Sequence, residues 1–251
     1  MPFSMRIPHP VLNVLRPIVE SRSGSNTPPK SVLIERTEEH FGSQNTWVAV
    51  ATDYVTIVAV HFVGYLNNKP IDNGERFVIN GDRLKKLTSR GLWSTYCLQR
   101  GKKIRLQPAT DMHGEGPADD SYEQPYCPDI GWPTRAPNYS WQEMMPTRFV
   151  EKTTAANTMM YTQVEAPIPV APAFSVNPKA VTMVMEVCRR LKLRTTFVVP
   201  DRPSTAIGIQ GVPDYGITDN SINRVEAAIM PIAATMIDPI DGSNPAVSVV
   251  K

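Results

Sequence analysis

The side chains of this 251-residue chain best placed to do chemistry are cations rather than catalytic groups. Between Arg76 and Arg105 stand nine Lys or Arg and one acid, Asp82; between Lys179 and Arg194 stand five and one, Glu186. The remainder carries twelve basic and twenty-two acidic residues, so a formal net charge of only +2 conceals a strong segregation of sign. A single charged run is most often just a solvated face. Two such runs on similar elements point instead to a basic surface for a polyanion, with acidic surfaces elsewhere.

Catalytic and metal-binding patterns are missing. His9, His40, His61 and His113 are scattered without HExxH or other metal spacing. Asp111, His113, Asp119 and Asp120 share one polar stretch and could bind a cation, although a solvated loop is the more ordinary reading. Gly114-Glu115-Gly116 lacks the Lys-Ser/Thr ending and following helix of a phosphate loop, and no GxSxG nucleophile motif occurs. Cys97, Cys127 and Cys188 are odd in number and widely spaced, which fits reduced, packed thiols. The expectation is a protein that is not an enzyme and needs no metal or cofactor. No apolar run reaches the roughly 18 residues of a membrane span, and the opening segment has no secretory core, so the cytoplasm is the default compartment.

The composition, 41% hydrophobic and 20% charged, is that of a folding globular chain, long enough for two modest domains. His9–Glu20 has Val11, Leu12, Leu15, Ile18 and Val19 at helical spacing, and Pro17 should kink or shorten that helix. SVLIERT, TWVAVAT and VTIVAVHFV then read as three strands. The pattern recurs with ERFVIN as a strand, GDRLKKLTSRG as a short helix, and STYCLQ and KKIRLQP as strands. On that helix Leu84 and Leu87 face one way, while Arg83, Lys86 and Arg90 run along an exposed side. Residues 109–131 read as a polar hairpin excursion or loop within the first domain. A third unit opens with AFSV and a helix capped by Asn177 with Pro178 at its first position. Val181, Val184, Met185, Cys188 and Leu191 line one face of this helix; Lys179, Glu186 and Arg190 lie opposite. TTFVVP, TAIGIQ and VEAAIMPIA supply its strands.

Specific words add to this repeat. FSVNPKAVTMVMEVCRRLKL, closing in VEAAIMPI, resembles the end of a bacterial beta clamp, with its "FNPKYL" helix and "YVIMPM" strand. WVAVATDYVTIVAV is similar to the "LTLTATDLE" strand pair of the first clamp unit, and RFVINGDRLKKL to the "VPAKKLLDIL" helix after it. APNYSWQEMMP resembles the "FPDYRRVLP" connector between clamp domains. Four such words in order cover roughly two-thirds of the chain. Beta clamps carry three domains of two units, whereas three units are clear here and a fourth, abridged, falls between Thr147 and Pro172.

The resemblance implies an α+β sliding-clamp fold of repeated strand-helix-strands units, with antiparallel sheets outside and short helices lining a ring. It divides the chain into a clamp-like domain at 1–146 with the insertion at 109–131, an abridged second one at 147–238, and a tail at 239–251. It implies a processivity factor that encircles double-stranded DNA without reading sequence. Arg16, Arg22, Arg83, Lys86, Arg90, Lys179 and Arg190 are the expected phosphate contacts, with Arg189, Lys192 and Arg194 behind them. Lys102, Lys103 and Arg105 fit an exposed sheet edge equally well. Met230, Pro231 and Ile232 match the pocket that takes peptides from DNA polymerase and clamp loader, and serve equally as an ordinary strand end. Length favours a homo-oligomeric trimer over a dimer; compactness suggests phage or mobile-element origin, hence host cytoplasm. The alternatives are a clamp-fold protein that binds or inhibits replication proteins without encircling DNA, and an unrelated nucleic-acid-binding or virion structural protein.

Overall fold

Met5 and Ile7 alternate with partly exposed neighbours in β1 (Ser4–Pro8), a strand too short to stand out in the sequence. The computed structural model describes residues 4–21, 30–41, 44–66, 76–110, 121–126, 141–145, 176–198, 206–213 and 221–231. After β1 come α1 (His9–Glu20), β2 (Ser31–Phe41), β3 (Gln44–Thr52), β4 (Thr56–Val63) and β5 (Tyr65–Leu66). A second unit follows as β6 (Arg76–Asn80), α2 (Gly81–Leu87), β7 (Ser94–Arg100), β8 (Lys103–Ala109) and β9 (Tyr122–Pro125). The third holds α3 (Pro178–Arg190), β10 (Leu193–Val198), β11 (Ile207–Pro213) and β12 (Ile222–Ile229).

The first two units are joined by exchange. The opening strand of each pairs antiparallel with the strand after the helix of the other: β1 with β7, and β6 with β2. This produces a five-stranded sheet, β5-β1-β7-β8-β9, and a seven-stranded sheet, β10-β11-β12-β4-β3-β2-β6. Gly81 shows how close the exchange is. Its N–H donates to Lys30 O at 2.7 Å, and a Cβ there would lie 2.7 Å from the same oxygen. All three helices pack on one side, with α1 between α2 and α3. Their apolar faces and the inner faces of both sheets form one core containing Leu12, Leu15, Leu84, Leu87, Val184, Phe62 and Phe77. Complete burial of each such side chain contributes about 1.5–3 kcal/mol.

Two expectations are corrected and one open choice is decided. Helix α1 runs through Pro17 without shortening, because Pro17 lies on its exposed side, where water can take the carbonyl left without a donor. Of the two readings of the polar excursion, the described part follows the hairpin: β9 returns antiparallel to β8, and its polar sequence YEQP suits an edge strand exposed on one side. The buried face of α3 is rotated from the expected one: Ala180, Val184, Val187 and Cys188 are buried, whereas Val181, Met185 and Leu191 are only half-buried. The buried thiols Cys97 and Cys188 are free, and desolvation raises both, Cys188 to about 11. Cys127, residues 147–172 and the tail lie outside the described residues. Among the described residues no helix is long and apolar enough to cross a membrane.

The β3–β4 turn is fixed by polar side chains at the heart of the seven-stranded sheet. Asp53 is 2% exposed, and its Oδ1 accepts the N–H groups of Val55 and Thr56 at 3.1 and 2.7 Å. Thr52 Oγ1 donates to Thr56 O and accepts from Tyr54 N–H, which lets Tyr54 sit at φ 70°. Asp53→Ala leaves two buried donors unmatched and should lower the unfolding free energy by about 2–4 kcal/mol in urea titration; a loss below about 0.5 kcal/mol contradicts this role.

The third unit is fastened to the first by β12 against β4. At this seam Glu226 Oε2 lies 3.2 Å from His61 Nε2, and Glu226 Oε1 forms an ion pair with Arg224, 3.0 Å from its Nε. Burial pushes the Glu226 carboxyl up, but hydrogen bonds and charge from His61 and Arg224 outweigh it, so its pKa is lowered. A lowered carboxylate stabilises the fold above its unfolded-state value and stops doing so as pH falls through its folded value. The stability difference between wild type and Glu226→Gln should therefore be largest near neutrality and vanish in acid; a pH-independent difference refutes this coupling.

Candidate nucleic-acid interface

Each helix is oriented by its own sequence. In α2 the Asn80 side chain accepts from Asp82 N–H at 3.1 Å and opens the helix. Thr88 Oγ1 donates to Leu84 O at 2.7 Å, and Ser89 Oγ donates to Lys86 O at 2.9 Å, at its close. With Leu84 and Leu87 driven into the core, Arg83, Lys85, Lys86 and Arg90 turn outward. In α3 the Asn177 side chain accepts from Lys179 N–H at 3.0 Å, and Lys179, Arg189 and Arg190 are exposed. Because α1, α2 and α3 lie side by side over one core, their outward cations share one face.

Several of these cations are held rather than free. The Arg83 guanidinium and the Lys86 ammonium both lie 5.3 Å from the ring centroid of Tyr122 on β9, a cation–π arrangement over one ring. Tyr122 comes within reach because Gln124, two residues on, accepts from Asn80 N–H at 3.3 Å and donates to Val78 O, tying β9 to the edge of β6. Arg16 Nε donates to Glu20 at 2.7 Å and its Nη1 to Thr88 Oγ1 at 3.4 Å, linking α1 to the end of α2. On α3, Glu186 accepts from Arg189 at 2.6 and 2.7 Å and from Arg190 at 2.8 Å. Hydrogen bonds from Arg189 and then Arg190 hold its carboxyl down at about 2, so it stays ionised at any working pH. Between α1 and α3 lies a groove of about 410 Å³ lined by Val14, Pro17, Thr182, Met183 and Val187, with Lys179, Glu186 and Arg190 also on its walls.

Other expected positions fall elsewhere. Lys192 is exposed at φ 54° just past α3. Arg194 follows Leu193, which packs on the core, so strand alternation turns it to the sheet side away from the helices. Lys103 and Arg105 likewise leave the core side to Ile104 and Leu106; Lys103 pairs with Glu123 at 3.2 Å and Arg105 with Ser121 at 3.0 Å. Met230 is exposed and donates to Val55 O at 2.8 Å, while Pro231 bridges Val176. Arg22, Ile232, Asp111, His113, Asp119 and Asp120 lie outside the described residues. Among the described residues no group of three His, Cys, Asp or Glu could hold a metal ion. The seven-stranded sheet's far face carries a second apolar cluster, including Leu33, Val48 and Val50, on which Trp141 rests, its indole N–H donating to Glu35 at 2.8 Å.

Sequence reasoning missed Tyr122, because a lone tyrosine in a polar excursion carries no signal of its partner helix. It missed Lys85 by following only the three-then-four spacing. Chemically the helix face offers point charges and guanidinium groups with few acids, a surface that attracts phosphates without a base-reading element. Glu186→Gln should release two guanidinium groups and move elution from a heparin column to higher salt; elution at unchanged or lower salt contradicts the neutralising role given to Glu186.

No family model matches the chain, and no curated protein matches it by sequence. Solved structures do. The Helicobacter pylori beta clamp in complex with carprofen aligns with a TM-score of 0.54 at 14% identity, over 92% of this chain and 66% of that one. The same clamp with diflunisal gives 0.52 at 12% identity over 92% and 66%. The sliding clamp, DNA polymerase III subunit beta, from Bartonella birtlesii bound to griselimycin gives 0.50 at 13% identity over 95% and 67%. The chain has the sliding-clamp fold and spans about two-thirds of the length of these clamps.

Proposed function

We propose that this sliding-clamp fold serves as a DNA clamp: a non-enzymatic, ring-forming subunit that encircles duplex DNA and tethers replication proteins to it. One observation carries the reading. Three helices lie side by side over a single core and turn their cations, but few acids, to one open face. Weak charge contacts of this kind hold a duplex without fixing its register, so a closed ring can slide. Arg16, Arg83, Lys85, Lys86, Arg90, Lys179, Arg189 and Arg190 would face DNA, with Lys192 at the margin.

In this reading 1–146 and 147–238 are the two clamp-like domains and 239–251 a tail. Met230 and Pro231, with Ile232 beyond the described residues, would meet peptides from polymerase and loader; the exposure of Met230 supports that role. The working compartment is the cytoplasm, of the host if the chain is phage-encoded. A second reading, a clamp-fold protein that binds replication proteins without encircling DNA, draws on the cations already engaged by Tyr122, Glu20 and Glu186.

Retention on DNA separates the two. The protein bound to a nicked circular plasmid should survive gel filtration in high salt and be lost once the plasmid is linearised. The double variant Lys86→Glu/Arg90→Glu should retain its thermal unfolding midpoint while retention falls by about tenfold or more, since repelled phosphates replace attracted ones. Equal loss from circular and linear DNA, or full retention by the double variant, removes the encircling reading.

A further inference from the structure

Trp93 is 61% exposed, more than any other large apolar side chain among the described residues. The backbone that carries it is fixed on both sides: Trp93 N–H donates to Ala109 O, and Trp93 O accepts from His9 N–H, each at 2.8 Å. The fold itself therefore holds the indole out. Gly91, at φ 82°, turns the chain from the end of α2 toward this position.

The duplicated units give Trp93 two counterparts. In each unit one residue stands immediately before the strand that follows the helix: Lys30 before β2, Trp93 before β7 and Lys192 before β10. All three are exposed. Lys30 and Trp93 match in detail, because Lys30 O accepts from Gly81 N–H at the start of α2 as Trp93 O accepts from His9 N–H at the start of α1. Helices α1 and α2 run antiparallel, with Gly81 against Val19, so Lys30 and Trp93 stand at opposite ends of the helix layer. Where the other two units carry a lysine, the second carries a tryptophan. Its surroundings stay cationic: Arg90 is exposed three residues earlier, and no acid occurs from Arg83 to Thr110.

We propose that Trp93 is a stacking platform for an unpaired nucleobase, placed where a nucleic-acid strand leaves the helix layer; this rests on the clamp reading of that layer. An indole cannot attract phosphate as the lysines at the equivalent positions do, but it offers a flat face on which any base can stack. Bases within a duplex are already stacked on one another, so the platform selects single strand over double strand without reading sequence. Arg90 beside it takes a phosphate of the same strand. An exposed tryptophan can also anchor a protein partner, but a setting of cations without acids favours a polyanion. With Lys30 at one end of the layer and Trp93 at the other, the two ends differ, and a junction between duplex and single strand is bound in one orientation.

Anisotropy titrations with a blunt duplex, and with the same duplex carrying an oligothymidine overhang, test this. Wild-type protein should bind the overhang form about tenfold more tightly. Trp93→Ala should erase that preference while its affinity for the blunt duplex, the salt dependence of that affinity and its thermal midpoint stay at wild type. Trp93→Phe, which keeps a stacking face, should retain most of the preference. Oligothymidylate should quench tryptophan emission in the wild type and much less in Trp93→Phe. An overhang preference that is absent from the wild type, or undiminished in Trp93→Ala, overturns the proposal; so does a Trp93→Ala variant whose sole defect is in binding another protein. None of these readouts needs a closed ring. Loss of retention on circular plasmid with the overhang preference intact removes the encircling reading alone, and retention without that preference removes this proposal alone.

Discussion

Reciprocal pairing of the opening strands is the constraint on which the rest of this structure depends. A strand-helix-strands unit by itself presents a helix beside an unpaired strand, with nothing to cover either. Exchange of β1 and β6 joins the two units through both sheets at once and forces α1 and α2 onto the same side. With β12 added to β4, α3 arrives beside α1 and the helix layer gains its third member. The charged face is therefore a consequence of sheet topology: once Leu84, Leu87, Val184 and Val187 are buried, the cations between them have only one direction left.

That face is tempered by its own partners. Glu20 and Glu186 hold arginines along their helices, and Tyr122 lies under both Arg83 and Lys86. Exposed ion pairs contribute little to stability. Their larger effect here is on position, since they keep long side chains extended over the helix layer and lower the charge a polyanion meets. In the proposed clamp reading such moderation is an advantage, because a site that bound phosphates tightly would arrest movement along a duplex.

The sequence made the strands β2, β3, β4, β7 and β8 and all three helices legible, because β-branched runs and the buried leucine spacings of α2 report local geometry directly. Asn177 and Pro178 mark the start of α3 through chemistry confined to two residues. What stayed hidden depends on distant parts of the chain. The short β1 owes its place to β7, and β9 to β8. The orientation of α3 was misjudged because its apolar residues span more than one face, and only packing against α1 and the sheet selects Ala180 and Val187 for the core. Of the expected site residues, those on α1, α2 and α3 gather on one face, whereas Arg194 is turned away by strand alternation that a charge count does not register.

The proposed clamp reading requires the helix layer, and not the opposite side of the five-stranded sheet, to meet duplex DNA. A photo-crosslinking amino acid placed at Lys85, exposed on the helix layer, and separately at Lys103, exposed on the opposite side of the five-stranded sheet, puts the two faces in direct competition. Crosslinks to duplex DNA from position 85, with few or none from position 103, are the expected result. Equal yields, or crosslinks mainly from position 103, would contradict a DNA-facing helix layer.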